Sequence, residues 1–302
     1  MALGTNHVTN ATASTFIPEL WSDEIIAAYK QNLVMANLVS KMSFKGKKGD
    51  TLHIPKPTRG VAALKAASTQ VTLQAATETE IQVLVNKHYE YSRMIEDITE
   101  AQALASLRKF YTGDAGYALA KQVDGDLILL GRGVNGGGGT AGYEAAVIGS
   151  GSTAYTGSNA AAISDAGIRA AIQTLDDADV PMDGRVLVLP PVARNVMMGL
   201  ARFTEQAFTG EVGGGNTIRN GEIGNVYGVK VYVTTNCDTS TDGDRIGLMF
   251  TKDAFVLAEQ MGVRSQTQYK QEYLGTLFTS DMLYGVQELR DEAAVAIAMP
   301  AA

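Results

Sequence analysis

Residues 80–91 read EIQVLVNKHYEY and lead towards ITEAQALASLRKFYTGDAGYALAKQVDGDLILL at residues 98–130. In the first segment apolar and polar residues alternate, which is the period of a β-strand with one buried face. We therefore predict a strand, with Leu84 and Lys87 as exceptions to the alternation. The predicted apolar face consists of Ile81, Val83, Val85, Tyr89 and Tyr91, and the polar face of Glu80, Gln82, Asn86, His88 and Glu90.

The period changes after Asp97, where a helix is predicted. Asp97 and Glu100 have the spacing of a capping box, so the helix should begin near Ile98. Apolar residues recur at intervals of three and four as far as Leu130, a length of roughly 50 Å in one helix. Three glycines, each costing about 1 kcal/mol relative to alanine, predict close packing, a kink or a break. They are Gly113, Gly116 and Gly125, and two shorter helices remain an alternative.

Composition predicts a globular protein. The chain of 302 residues is 45% hydrophobic and 19% charged, and its net charge of -7 argues against tight, nonspecific binding of duplex DNA by the whole surface. The single Cys237 excludes an internal disulfide. No apolar run approaches the length of a membrane span, so we expect a soluble intracellular protein without membrane partners.

A long two-stranded excursion is predicted before the helix. After a lysine-rich turn, Thr51–Ile54 reads as a short strand closed by Pro55 and Pro57, and the chain returns through the strand at Glu80. Residues 58–79 contain too few large apolar residues for a core of their own. Because an isolated hairpin is marginally stable in water, a neighbouring copy of the chain is the economical support.

The two ends of the chain differ in character. Residues 1–15 are small and polar and should form a loose arm, and Trp21 to Leu33 have helical spacing that could pack on the same domain or on another subunit. The second half mixes helices and strands around a glycine-rich linker and a loop at Thr209–Gly224. Ser164 should cap a helix that stops before Pro181, and Pro191 should open another. The predicted strands are Arg185–Leu189, Val229–Val233, Ile246–Phe250, Tyr284–Leu289 and Ala293–Ala298.

Each candidate chemical site lacks part of the sequence pattern that its function requires. We therefore assign no catalytic, cofactor-binding or metal-binding residue and expect no enzymatic activity. Gly131–Gly136 matches G-x-G-x-x-G, but no helix start or suitably spaced acidic residue follows. The histidines His7, His53 and His88 are far apart, although His53 and His88 could face each other across the hairpin. A turn containing Asp238, Asp242 and Asp244 lacks the full calcium-loop pattern.

The order of these elements resembles the major capsid proteins of tailed double-stranded DNA bacteriophages, the Hong Kong 97-type fold. The resemblance covers most of the chain from about Phe16. The stretch from Gly49 to Pro55 looks like the entry to that family's extended loop, and Ile98–Leu130 looks like its spine helix. Gly221–Val233 looks like the strand entry of its axial domain, and Leu283–Val286 and Ala293–Ile297 look like its closing strands.

The resemblance implies an α+β fold with an N-terminal arm, an extended β-hairpin loop, a long spine helix, a peripheral domain and an axial domain. The expected divisions are residues 1–45 for the arm, 46–92 for the loop, 93–130 for the spine helix, 131–160 for a glycine-rich linker, 161–260 for the axial domain and 261–302 for strands returning to the peripheral domain.

The same resemblance implies a structural function. Copies would form pentamers and hexamers that assemble in the host cytoplasm into an icosahedral virion shell around double-stranded DNA, without sequence-specific binding. Arg59, Lys65, Glu78 and Glu80 would contact a neighbouring subunit through the extended loop. A portal is an expected partner. A separate scaffolding protein is also expected, because only the arm, residues 1–45, precedes the loop.

Three other functions remain open from the sequence. An encapsulin-like compartment would share the fold and enclose protein cargo. A nicotinamide-dependent enzyme would bind its cofactor at the G-x-G-x-x-G segment, and a monomeric binding protein would stay small at all concentrations.

Overall fold

A computed structural model describes residues 33–46, 48–57, 60–71, 73–74, 78–97, 106–137, 142–152, 154–200 and 224–301. In the long helix, side chains are described from Tyr111 onward. The predicted arm, the helix at Trp21–Leu33, the start of the helix after Asp97 and the loop from Thr209 lie wholly or mostly outside these residues.

The described elements include long runs of strands with a few helices between them, as expected for an α+β chain. In chain order they are α1 (Met35–Leu38), β1 (Ser40–Ser43), β2 (Thr51–Lys56), β3 (Thr79–Leu84), β4 (Lys87–Glu96), α2 (Ser106–Leu129), β5 (Val147–Ile148), α3 (Asp165–Asp177), β6 (Val186–Leu189), α4 (Pro191–Met198), β7 (Asn225–Val226), β8 (Val229–Val233), β9 (Arg245–Phe250), β10 (Phe255–Lys270), β11 (Gly275–Glu288) and β12 (Ala294–Met299).

The described strands form three sheets. One sheet has the order β1-β10-β11-β4, in which β1 runs parallel to β10 and the other pairs are antiparallel. A mixed six-stranded sheet has the order β5-β12-β9-β6-β8-β7, and β2 and β3 form an antiparallel pair of their own. The apolar strands at the centre of the six-stranded sheet, β6, β9 and β12, are buried almost throughout.

The long helix α2 lies against the four-stranded sheet. Its buried positions repeat at intervals of four residues, at Ala115, Leu119, Val123 and Leu127, which confirms the predicted apolar stripe. The helix is continuous through its three glycines, and a Cβ at Gly116 would meet no atom within 4 Å. Close packing is therefore not the reason for glycine at that position.

Several local predictions for the second half are confirmed. Ser164 accepts a hydrogen bond from the amide of Gly167 at the start of α3, and Pro191 is the first residue of α4. The strands at residues 186–189, 229–233, 245–250 and 294–299 match the predicted strands within one or two residues.

The structure also corrects three expectations. The predicted strand at residues 80–91 is two strands, β3 and β4, which pair with different partners. The predicted strand at Tyr284–Leu289 is the end of a much longer hairpin formed by β10 and β11, whose distal half is too exposed and polar to show an apolar period. His53 and His88 do not face each other, because His53 pairs with Gln82 and His88 with Leu283.

The glycine-rich segment after α2 is packed. It contains β5, which pairs with β12, and it buries Tyr143 and Tyr155 in the main core. Two short 3-10 turns, at residues 130–132 and 134–136, connect α2 to this segment. The segment therefore carries core residues despite its glycine content.

Candidate assembly surface

Residues 46–92, the segment predicted as the extended loop, contain the β2–β3 ladder. The register runs from Thr51 opposite Leu84 to Lys56 opposite Thr79, and it continues past Pro55, which pairs with Glu80. Proline is tolerated here because the two-stranded sheet has open edges that need no amide donor. The chain beyond this ladder, residues 57–78, belongs to no other strand in the part that the structure describes.

The base of the extended loop is held by a small apolar cluster. Val83 and Val85 pack with Phe44, Val256 and Ala258, and all five side chains are buried. The backbone of β11 approaches closely, since a Cβ at Gly285 would overlap the carbonyl oxygen of Leu84. This base fixes the direction in which the loop leaves the molecule.

Polar contacts reinforce the same base. The amide of Val85 donates to the carbonyl of Asp50 at 2.8 Å, and the side-chain amide of Gln260 donates to the carbonyl of Gly49 at 3.0 Å. Lys45 and Glu259 form a longer ion pair of 3.8 Å at the surface. Because these groups tie the loop entry to β10, the loop is an extension of the four-stranded sheet region.

Across the ladder, His53 Nδ1 lies 3.0 Å from Glu80 Oε2, and Gln82 donates to Glu80 Oε1 at 2.6 Å. These bonds, from Gln82 first and then from His53, lower the pKa of Glu80 below its ordinary value. Glu80 therefore has partners within its own hairpin.

The distal part of the extended loop carries apolar side chains that the described chain leaves uncovered. We call Val61, Leu64, Val71 and Leu73 the distal patch; Leu64 and Leu73 are 102% and 91% exposed. Gln74 hydrogen-bonds to both the amide and the carbonyl of Val61, so the two sides of the loop remain together. Several exposed apolar side chains on one segment outside the sheets are typical of a contact with another protein.

A second exposed apolar group lies at the far end of the β10–β11 hairpin. It consists of Tyr269, Tyr273, Leu274 and, from the neighbouring strand β4, Met94. The hydroxyl of Tyr269 donates to Asp97 at 2.7 Å, which ties this hairpin to the chain that leads into α2.

The four residues predicted to contact a neighbour have different surroundings. Lys65 and Glu78 are exposed in the distal half of the loop, whereas Glu80 is engaged with His53 and Gln82. Arg59 lies outside the described residues. Their contacts with a neighbouring subunit remain a prediction.

Sequence reasoning missed a polar cluster beneath α2. Asp124 is fully buried and its Oδ1 accepts hydrogen bonds from the amides of Val34 and Met35, at 3.1 and 2.7 Å. Its other oxygen accepts from Asn236 at 3.1 Å. The available signal was position, because Asp124 and Asp126 lie directly beside Val123 and Leu127 of the apolar stripe, and buried polar groups there require partners.

Two aspartates of the 238–244 turn, Asp238 and Asp244, are partners of arginine or tyrosine. Asp238 binds Arg132 through two hydrogen bonds and accepts from Tyr143, and although burial opposes the shift these donors lower its pKa. Asp244 accepts from Tyr155, whose pKa is raised to about 12 by burial and by this bond. Within the described residues, no group of three or more side chains is placed to hold a metal ion.

The G-x-G-x-x-G segment does not have the strand-turn-helix context of a dinucleotide site. It forms the two 3-10 turns that follow α2, and a Cβ at Gly131 would clash with the side chain of Leu248. The glycine is therefore explained by close packing. Among the described residues no helix has both the length and the apolar content of a membrane span.

Comparison with known proteins identifies both a family and a fold. A family described as phage capsid protein matches residues 89–297. A chain from Mycobacterium phage Che8 superimposes with a TM-score of 0.75 at 24% identity, covering 93% of this chain and 97% of that chain. The capsid of cyanophage P-SCSP1u gives a TM-score of 0.76 at 19% identity, with 99% and 97% covered. No curated protein matches the sequence.

Proposed function

Because the chain belongs to the phage capsid protein family, we propose that it forms pentamers and hexamers, which close into an icosahedral shell around double-stranded DNA. The protein is a major capsid protein and a structural component of the virion, with the fold of tailed-phage capsids. The proposal concerns how copies associate, what they enclose and which other proteins take part.

The distal patch is the observation that carries the mode of association. Leu64 and Leu73 project from an arm whose base is firmly packed and whose end has no apolar partner in the described chain. Burying such a side chain contributes about 1.5–3 kcal/mol. In this proposal the extended loop lies over a neighbouring copy, with Lys65, Glu78, Glu80 and Arg59 at the polar margin of the contact.

The net charge of the chain supports the proposal that the shell encloses DNA. A net charge of -7 suits a shell that confines DNA without binding it tightly, because like charges repel at distances up to about 8 Å at physiological salt. We further propose assembly in the host cytoplasm with a separate scaffolding protein and a portal, and a structural role without catalysis.

The test is a variant that removes the apolar character of the distal patch. Leu64→Ser combined with Leu73→Ser should leave the circular dichroism spectrum and melting temperature unchanged, because both side chains are exposed. Assembly measured by sedimentation should fall at least about tenfold, since tenfold corresponds to about 1.4 kcal/mol.

Met182→Ser is the matched control, because Met182 is 72% exposed but lies beyond α3, far along the chain from the extended loop. It should assemble like the unmodified chain. Normal assembly of the double variant would contradict the proposed role of the extended loop.

A further inference from the structure

The chain passes three times between the four-stranded and six-stranded sheets in the part that the structure describes, and all three connections meet. They are the turns after α2 at residues 130–137, the turn between β9 and β10 at residues 251–254, and the turn between β11 and β12 at residues 289–293. We call this meeting point the junction.

Backbone hydrogen bonds join the junction's turns. The amide of Thr251 donates to the carbonyl of Ala293 at 3.1 Å, and the amide of Leu289 donates to the carbonyl of Ala254 at 2.8 Å. The turn after α2 is attached by a side chain instead, because the amide of Gly136 donates to both carboxylate oxygens of Asp291 at 3.1 Å. Asp291 therefore connects the end of the long helix to the start of β12.

Glu288, the last residue of β11, lies directly behind this attachment. Its Oε2 faces Gly133, where a Cβ would be only 3.0 Å away, and the Asp291 carboxyl is near enough to raise the pKa of Glu288 through its charge and a hydrogen bond. Its Oε1 is buried and has no hydrogen-bond partner among the described residues. Two adjacent carboxyl groups can hydrogen-bond only if one of them carries a proton.

We infer that Glu288 and Asp291 share a proton that holds the junction together, so that loss of this proton loosens the connection between the two sheets. With the proton present, the Glu288 carboxyl donates to Asp291. Without it, two carboxylates repel each other and Oε1 remains buried without a donor.

The electrostatic surroundings place this transition near neutral pH. Burial, and next the charge and hydrogen bond of Asp291, raise the pKa of Glu288 to about 7. Among the charged residues of the three turns, Asp291 is the one that raises the pKa of Glu288. Arg132 is bound to Asp238. The remaining charged residues are exposed and are Lys252, Asp253, Arg290 and Glu292.

The direction of the pH dependence follows from the raised pKa. The junction should be most stable in acid, where Glu288 is protonated in both folded and unfolded chains. Its stability should decline as the pH rises above the ordinary glutamate value of 4.5, and the decline should be complete above about 7.

The experiment is hydrogen exchange by mass spectrometry on the full chain at about pH 4 and about pH 8.5, below and above the interval in which the stability declines. Glu288→Gln keeps a neutral donor towards Asp291 and cannot lose a proton. Comparing the two chains at one pH cancels the intrinsic pH dependence of exchange. The peptides to follow contain Gly136 and Thr251, whose amides close the junction.

At the lower pH the unmodified chain and Glu288→Gln should exchange equally. At the higher pH the unmodified chain should exchange at least about tenfold faster, because the pKa of Glu288 differs by more than one unit between the folded and the open chain. Glu292→Gln, an exposed glutamate on the same turn, should behave like the unmodified chain at both values.

Asp291→Asn provides a second variant in case Glu288→Gln folds poorly, since asparagine can still accept from Gly136 but carries no charge. The pH dependence of its exchange at the junction should become smaller, because the charge of Asp291 is removed while the burial of Glu288 remains. Equal exchange of the unmodified chain and Glu288→Gln at both pH values, or a difference of the same size at both, would overturn the inference.

Discussion

Lys87 Nζ lies 3.0 Å from Asp126 Oδ2 beneath the long helix, where the aspartate side chain is only 4% exposed. Tyr284 donates to the same carboxylate oxygen at 2.6 Å, and Gln122 donates to the other at 3.2 Å. The carboxylate therefore joins α2 to β4 and β11. A buried charge with this many partners is costly to uncover, because each partner also loses its hydrogen bond.

Replacing Asp126 should destabilise the protein strongly. Asp126→Ala leaves Lys87 and the buried hydroxyl of Tyr284 without their acceptor, so we expect a loss of about 3 kcal/mol in the free energy of unfolding. Urea denaturation of the unassembled chain measures it. Glu259→Gln, which breaks the exposed pair with Lys45, should cost less than about 0.5 kcal/mol. Similar losses for both variants would show that burial does not determine the effect.

Asp124 should hold the start of the described chain against α2. Asp124→Ala removes the acceptor of the Val34 and Met35 amides, and we expect faster hydrogen exchange at both and a loss of about 3 kcal/mol. Asn236→Ala removes one hydrogen bond from the same carboxylate and should cost about 1 kcal/mol without exposing those amides. Unchanged exchange at Met35 in Asp124→Ala would contradict this role.

Two glycine substitutions should have opposite effects. A Cβ at Gly167 would overlap the carbonyl oxygen of Gly149, so Gly167→Ala should destabilise the chain by about 2 kcal/mol or more. Gly116 faces open space within α2, and Gly116→Ala should stabilise the chain by about 1 kcal/mol through helix propensity. Thermal melting of both variants checks the pair, and a stabilised Gly167→Ala would refute the packing argument.

Asp281 should contribute stability that is lost in acid. Two hydrogen bonds from Arg264, and next the contact with His88, lower its pKa to about 2. A depressed pKa stabilises the folded chain above the unfolded value of 3.8, and this contribution disappears as the pH falls towards 2. Because Arg264 is half exposed, we expect only about 1 kcal/mol. Asp281→Asn should flatten the stability curve over this interval; an unchanged curve would argue against the pairing.

The parts of the fold that were predictable have a local signal in the sequence. The stripe from Ala115 to Leu127 and the Ser164 cap depend on residues close together in the chain, and the structure confirms both. The outward-facing exception Leu84 is 49% exposed, and the inward-facing exception Lys87 reaches Asp126. The alternation therefore predicted which way a side chain faces even at Leu84 and Lys87, where the residue type did not fit the face.

The parts that could not be predicted depend on contacts between distant segments. The distal half of β10 is paired along its length with β11, but both faces are exposed, so it has no apolar period. Glu288 and Asp291 are close in sequence, yet their importance comes from Gly136, which is far away in the chain. The extended loop was predicted from its flanking strands, whereas its packed base depends on Val256 and Gly285.

Electron microscopy with light scattering of the purified full chain over a range of concentrations tests the central claim most directly. The account predicts rings with five or six times the 32.0 kDa chain mass, or closed shells of uniform size. The Leu64→Ser and Leu73→Ser double variant should shift the same sample towards single chains. A species of 32.0 kDa at every concentration, with no rings or shells, would contradict the account.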